Sequence, residues 1–182
     1  CFGFKAGSGT SSRLVGYDGE EFTVGVFVQA NFGTRRHLTV LGKNIGADPD
    51  LPQMLTNTKD TDLSSIIAII ATDAPFLPHQ LKRLARRASF GIGRTGGMAT
   101  HGSGDLFLAF STAASDLGGG AMRSVRFVPD EDIDPFFEAV VQATEEAILN
   151  SMIANEGMTG RDGNFVPALP HGVVKAALGL DD

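Results

Sequence analysis

One run of β-branched side chains constrains the fold more than any other part of this sequence. Residues 65–72 read SIIAIIAT and are followed by Asp73-Ala74-Pro75, which ends the run. An apolar run without polar alternation is typical of a strand that is covered on both faces. The sequence therefore predicts a fully buried strand at the centre of a sheet, with Ile66 to Ile70 as its core.

Five further elements surround this strand in the sequence. Alternating apolar and polar side chains predict a strand at 21–31, and a shorter strand at 37–41 is expected to pair with it across a turn. Residues 105–114 predict another strand. Apolar residues at helical spacing predict helices at 78–92 and 136–155. The length of 182 residues indicates a single domain, in which strands mix with two strong helices.

Charge and composition exclude several classes of function. The chain carries 21 acidic and 15 basic residues, and its net charge of −6 argues against nucleic acid as a partner because phosphate binding needs a basic surface. No apolar run approaches the roughly 20 residues of a membrane span, so no membrane partner is expected. One cysteine cannot supply a Cys-rich metal site, and the four histidines lie far apart at His37, His79, His101 and His171. We expect neither a metal nor a cofactor.

Two patterns on the first helix have simple structural explanations. Gly91 to Gly96 matches GxGxxG, but a dinucleotide fingerprint follows a strand and opens a helix, whereas this one closes the helix at 78–92. Four basic side chains on the same helix indicate a solvated face rather than a phosphate site in an acidic protein: Lys82, Arg83, Arg86 and Arg87.

A pair of serines stands where a long linker meets the buried strand. Residues 44–64 contain two prolines and four aspartates without an apolar period, which predicts an exposed linker. Ser64 and Ser65 follow it directly. A serine at a strand start is common and needs no function. The alternative is an N-terminal nucleophile made by cutting the chain, because a new α-amino group titrates at about 7.7–8.0 and can activate the hydroxyl of its own residue. The residues alone leave both interpretations open.

Several stretches of the sequence together resemble the DmpA-type peptidases, the self-processing N-terminal nucleophile hydrolases that include L-aminopeptidase/D-esterases and β-aminopeptidases. They follow one another in the family's order and cover most of the chain. The stretches are CFGFKAGSGTSSR (1–13), VGVFVQANFG (24–33), SIIAIIATDAPFLPHQLKRLARRASFGIGRTG (65–96), HGSGDLFLAFSTA (101–113) and EAILNSMIANEGMTGRDG (146–163).

This resemblance implies roles for four residues. The family's nucleophile opens the strand that runs into ATDAP, which is Ser65 here. Its second serine and acidic partner match Ser103 and Asp105, and its oxyanion-hole asparagine matches Asn31. Ser103 and Asp105 are two residues apart, so both side chains face the same side if the strand begins by Ser103.

The resemblance also implies an architecture and an activity. We expect an α+β fold of the layered αββα type, with two packed β-sheets flanked by helices. The implied activity is an aminopeptidase or amidase acting on short peptides, amides or esters. Self-cleavage would leave 1–64 as part of an α-subunit and 65–182 as the β-subunit of a homo-oligomer. The cytoplasm is the favoured location, with the periplasm as the alternative.

Two departures from the family leave rival interpretations open. The family usually has Gly where this chain has Ser64, so the cleavage site lies before either Ser64 or Ser65, and an uncleaved, non-catalytic homologue is one rival. Family chains are also longer, and we expect an N-terminal part of the fold to be missing before Cys1. A hydrolase with Cys1 as nucleophile is a second rival. An acyltransferase of the ornithine-acetyltransferase kind is a third, although it typically uses threonine as nucleophile.

Overall fold

The computed structural model describes residues 1–56, 64–113 and 124–180 as a sheet layer packed on helices. One sheet is formed by four strands in the order β1 (Ser8–Tyr17), β2 (Glu20–Asn31), β5 (Ser65–Thr72) and β6 (Leu106–Ser111). In this sheet β6 runs parallel to β5, and the other pairs are antiparallel. The strands and helices are β1 (Ser8–Tyr17), β2 (Glu20–Asn31), β3 (Thr39–Val40), β4 (Lys43–Asn44), β5 (Ser65–Thr72), α1 (Pro78–Arg94), β6 (Leu106–Ser111), α2 (Asp134–Ile153), β7 (Met158–Thr159), β8 (Phe165–Val166) and α3 (His171–Leu178).

The strand pairing differs from the sequence-based prediction in one respect. The strands at β2, β5 and β6 and the helices α1 and α2 form as predicted, but residues 37–41 do not pair with β2. Positive φ angles at Leu41 and Gly42 turn the chain sharply, so β3 pairs with β4 in a short hairpin of its own. The partners of β2 are β5 and the long strand β1, which forms in spite of its glycines.

Helices α1 and α2 cover one face of the four-stranded sheet. The side chains that β2 and β5 direct toward the helices are fully buried, among them Val24, Val28, Ile66 and Ile70. Apolar residues of α2 such as Ile148 complete this core. No helix within the described ranges is long and apolar enough to cross a membrane.

The opposite face of the sheet, which we call the open face, is apolar and uncovered in the part of the chain that the structure describes. Its exposed side chains include Leu14, Phe27, Ile67, Leu106, Leu108 and Phe110. The prediction of a fully buried β5 is therefore wrong for one face, since Ile67 is 41% exposed. Alternate residues of β5 are buried because the helices pack on one side only. The apolar composition of the open face is that of a sheet which packs against a second sheet.

The first part of the predicted linker is held in the fold rather than exposed throughout. Ile45 and Leu51 are buried in the core. The Arg35 guanidinium donates to the carbonyl of Pro52 at 2.7 Å, and Leu55 exchanges two backbone hydrogen bonds with Phe165. These contacts explain why 44–56 follows a defined path. The rest of the linker, 57–63, lies outside the described residues.

Two glycines of β1 allow a matched test of the packing between β1 and α2. A Cβ at Gly9 would lie 2.0 Å from the carbonyl oxygen of Ala147 in α2, whereas a Cβ at Gly16 would meet nothing within 4 Å. We expect Gly9→Ala to lower the free energy of unfolding by about 2–3 kcal/mol, because the helix backbone must shift. Gly16→Ala should change it by less than about 0.5 kcal/mol. Chemical denaturation of both variants checks this, and equal stabilities would contradict the packing described here.

Candidate active site

Ser65 is the first residue of β5, and its hydroxyl is hydrogen-bonded to the loop that precedes β6. Its Oγ accepts a hydrogen bond from the backbone N–H of Gly104 at 3.0 Å. Because this contact uses a lone pair of the oxygen, the hydroxyl proton is left free for a base. The side chain is half-buried and lies on the open face, in line with Ile67. Ser65 is therefore an oriented, reachable hydroxyl at a strand end.

Asn31 lies directly opposite Ser65 in the antiparallel pairing of β2 with β5. Directly opposite side chains on one face of such a pair have Cβ atoms about 4.5–5.5 Å apart. The end of β2 is fixed on both sides, because Ala30 donates to the carbonyl of Gly7 at 2.9 Å and Phe2 donates to the carbonyl of Phe32 at 2.8 Å. The exposed Asn31 amide is thus carried by a rigid backbone beside the hydroxyl of Ser65.

Ser103 and Asp105 meet each other and reach the start of β5. Ser103 Oγ donates to Asp105 Oδ1 at 2.6 Å, and the same oxygen accepts the backbone N–H of Ile66 at 3.1 Å. The predicted contact is present, but the reason given for it is wrong. The strand begins only at Leu106, and the pair meets through a turn in which Ser103 N–H donates to the carbonyl of Thr100 at 2.8 Å.

The loop that carries Ser103 is anchored where it leaves α1. Thr95 is buried, and its hydroxyl donates to the carbonyl of Ile92 at 2.8 Å. Gly96 has a φ of +96°, and a Cβ there would lie 1.8 Å from the carbonyl oxygen of His37, so only glycine fits. Arg94, two residues before Gly96, is paired with the buried Glu145 of α2. The GxGxxG pattern therefore ends a helix and starts the loop of the site, as the sequence predicts.

Two cavities adjoin Ser64, the residue before Ser65. A cleft of about 20 Å³ is lined by Ser64, Ser103 and Asp105 together with Thr34, His37 and Thr100, and this volume holds about one water molecule. A larger cavity of about 350 Å³ is lined by Ser64 and Asn31 on the other side. Cys1 is half-buried and lines this second cavity, away from the Ser103–Asp105 pair.

The remaining candidates from the sequence have structural roles or no shared site. Arg83 pairs with Asp130 at 2.9 Å, and the Arg87 guanidinium lies 3.9 Å from the centre of the Phe137 ring. Two of the four basic residues of α1 thus pack against the protein, while Lys82 and Arg86 are exposed to solvent, which favours the structural explanation. Within the described ranges, no three histidine, cysteine or acidic side chains lie close enough together to hold a metal.

Sequence reasoning missed three contributors to this site. The Gly104 N–H donor is a backbone group, and Thr100 acts through its carbonyl, so neither leaves a side-chain signal. Lys5 lines the larger cavity although it precedes Asn31 by more than twenty residues. The antiparallel pairing of β1 with β2 brings them together. A predicted β1–β2 hairpin would have been the signal for Lys5.

Comparison with known families shows which family the chain belongs to. The sequence profile described as peptidase family S58 matches residues 1–166, which is most of the chain. The chain belongs to peptidase family S58. The resemblance drawn from its motifs is therefore confirmed.

Known proteins match nearly the whole chain in sequence or in fold. The chain is 46% identical to a beta-peptidyl aminopeptidase BapA from Sphingosinicella microcystinivorans over 192 residues, covering 98% of this chain and 48% of the relative. The PH0078 protein from Pyrococcus horikoshii OT3 superposes with a TM-score of 0.86 at 40% identity, covering 98% of this chain and 48% of that one. The chain thus spans about half the length of the relatives it matches.

A third relative identifies the type of fold. An L-aminopeptidase D-Ala-esterase/amidase from Ochrobactrum anthropi, a prototype of the serine aminopeptidases with a variant of the Ntn hydrolase fold, superposes with a TM-score of 0.84 at 43% identity. The match covers 98% of this chain and 49% of that one. The predicted α+β fold of this layered type is confirmed, and the described residues supply one sheet and its helices.

Proposed function

We propose that this S58 chain carries the catalytic serine of an N-terminal nucleophile aminopeptidase, which removes the N-terminal residue from short peptides, amides or esters. One observation carries the proposal: the oriented hydroxyl of Ser65 starts a central strand, faces Asn31 across the sheet, and lies beside the Ser103–Asp105 pair. Together these residues supply a nucleophile, an oxyanion donor and a proton-transfer pair at one end of the sheet.

The active nucleophile arises by self-cleavage before Ser65. Ser65 Oγ attacks the carbonyl carbon of Ser64, an ester forms, and the peptide C–N bond breaks. The hydroxyl proton goes to the departing nitrogen, which becomes the α-amino group of Ser65. Water then hydrolyses the ester and leaves a carboxylate on Ser64. The ordered hydroxyl of Ser65 supports this cleavage site over one before Ser64, and the products are 1–64 and 65–182.

In the processed enzyme, the free α-amine of Ser65 acts as the general base for its own hydroxyl. The Oγ attacks the substrate carbonyl, and the Asn31 amide donates to the oxyanion that forms. Ser103 passes the proton between the amine and the leaving group, and Asp105 fixes the orientation of Ser103. Asp105 also accepts the Ile66 N–H, which holds the start of β5 at a constant distance from Ser103. Water then attacks the acyl-serine.

The small cleft beside Ser103 has room for the hydrolytic water, because its volume of about 20 Å³ fits one water next to Asp105 and Ser64. A serine nucleophile favours hydrolysis over acyl transfer of the ornithine-acetyltransferase kind, which typically uses threonine. Cys1 is a weaker candidate for the nucleophile, because it does not line the cleft that contains Ser103 and Asp105. The names of the relatives indicate three substrate classes: β-peptides, peptides with an N-terminal L-residue, and esters or amides of D-alanine. We expect a homo-oligomer of cleaved heterodimers.

Release of an N-terminal residue tests the proposed function. The processed protein should release p-nitroaniline from aminoacyl p-nitroanilides, including a β-alanyl and an L-alanyl derivative, and should not cleave the same compounds after N-acetylation. The N-acetylated substrates are the control, because an aminopeptidase requires a free amine. Equal rates on blocked and free substrates would contradict the assignment.

A further inference from the structure

The cavity on the Asn31 side of the nucleophile has a charge that its own walls do not balance. It measures about 350 Å³ and is lined by Lys5, Gln29, Asn31, Phe32, Met54 and Ser64, among other residues. Lys5 is the one charged side chain among its described lining residues. The cavity is therefore a cationic pocket next to the proposed oxyanion donor.

The Lys5 ammonium forms no ion pair with a carboxylate in the part of the chain that the structure describes. Its Nζ donates to the carbonyl of Ala6 at 2.5 Å, which leaves other donor positions on the nitrogen. The Lys5 backbone N–H donates to the carbonyl of Pro167 at 2.7 Å and fixes the segment before β1. A half-buried cation held in place without a counter-charge is suited to bind an anion.

A second donor, the side-chain amide of Gln29 in β2, lies near the Lys5 ammonium. Ser8 Oγ donates to Gln29 Oε1 at 2.9 Å, and this contact orients the Gln29 amide so that its NH₂ group faces the other way. A Cβ at Gly7 would lie 3.8 Å from Gln29 Nε2 and 4.0 Å from Lys5 Nζ. Gln29 Nε2 and Lys5 Nζ therefore both lie within about 4 Å of the Gly7 Cβ position, and both residues line the cavity. Two such nitrogen donors match the two oxygens of a carboxylate.

The pocket lies on the side of Ser65 that the leaving residue of a bound substrate would occupy. Neighbouring strands are about 4.8 Å apart, and one extended residue spans about 3.5 Å. Lys5 comes just before β1, so it lies one strand beyond Asn31, while Asp105 lies on the opposite side of Ser65. A bound dipeptide would place its scissile carbonyl between Ser65 and Asn31 and its C-terminal carboxylate one residue further, at Lys5.

We propose that Lys5, with Gln29, binds the free carboxylate of the leaving amino acid and so selects short peptides with an unblocked C-terminus. This inference rests on the proposed aminopeptidase activity and names the substrate class within it. Lys5 makes no covalent bond in the reaction. It raises the affinity for peptide acids over the corresponding amides and anilides, which carry no negative charge at that position.

Paired substrates test this subsite in the processed protein. The wild type is expected to hydrolyse a dipeptide acid with a higher kcat/KM than its C-terminal amide. Lys5→Met keeps the length of the side chain but removes the charge, and it should lower kcat/KM for the acid by about 10- to 100-fold through KM. The amide and an aminoacyl p-nitroanilide should change by less than about twofold, and Lys5→Arg should retain most of the preference.

The controls separate this subsite from the proposed function itself. Lys43→Met removes an exposed lysine of β4 and should leave the acid-to-amide ratio unchanged. A Lys5→Met protein that loses acid and amide hydrolysis equally would show a structural role and overturn the subsite. So would a wild type that hydrolyses amides without preferring acids, although the aminopeptidase activity would then stand. Failure of the wild type on every substrate would overturn the function and the subsite together.

Discussion

Replacement of Ser65 by alanine is expected to leave the chain uncut and to abolish hydrolysis. The variant lacks the oxygen that attacks the Ser64 carbonyl, and without cleavage it also lacks the α-amine that serves as base. Loss of the nucleophile lowers kcat by about 10⁴-fold or more in serine hydrolases, because the other catalytic residues contribute little to the rate without it. The rate of aminoacyl p-nitroanilide hydrolysis and the size of the denatured polypeptide measure the two losses.

Ser64→Ala is the matched control for this prediction. It removes a hydroxyl one residue earlier, outside β5, where no contact to Gly104 holds it. We expect the Ser64→Ala protein to cleave and to keep its activity within about threefold. If Ser64→Ala blocks cleavage while Ser65→Ala does not, the nucleophile is Ser64 and the register proposed here is wrong by one residue.

Replacement of Asn31 by alanine is expected to have the second-largest effect. A donor aimed at the developing oxyanion contributes mainly in the transition state, so its removal should lower kcat by about 10²- to 10³-fold and leave KM within about threefold. Self-cleavage should slow as well, because it passes through an oxyanion at the same strand end. Steady-state kinetics of the cleaved fraction and the rate of chain cleavage check these effects separately.

Thr23→Ala is the control for Asn31→Ala. Thr23 lies on β2 as well and on the open face, but at the far end of the strand from Ser65. Its replacement should leave kcat unchanged. An Asn31→Ala protein that shows a raised KM with an unchanged kcat would instead indicate that the amide binds the ground state of the substrate.

The strands and helices of this chain were largely predictable because their signals are local. The β-branched run of β5 and the apolar spacing of α1 and α2 lie within single segments. The partner of β2 was not predictable in this way, since it depends on the turn at Leu41-Gly42 and on a β1 strand whose glycines obscure its pattern. The burial of β5 on one face alone depends on which elements pack against it. The sequence of β5 by itself carries no information about those elements.

The site was predictable where it consists of side chains in recognisable motifs. Ser65, Asn31, Ser103 and Asp105 all lie at one end of the sheet, and their catalytic roles stay predictions. The contact between Ser103 and Asp105 arises from a turn instead of a strand, because β6 begins only after Asp105. The Gly104 donor is a backbone group, which leaves no side-chain pattern in the sequence. The position of Lys5 follows from the pairing of β1 with β2, which only a predicted hairpin would have indicated.

The intact masses of the denatured protein, combined with N-terminal sequencing, test the central claim most directly. The proposed mechanism predicts two polypeptides, the second of which begins with Ser65-Ile66-Ile67. A cleaved fragment that begins at Ser64, or a single unbroken chain that stays inactive after long incubation, would contradict it.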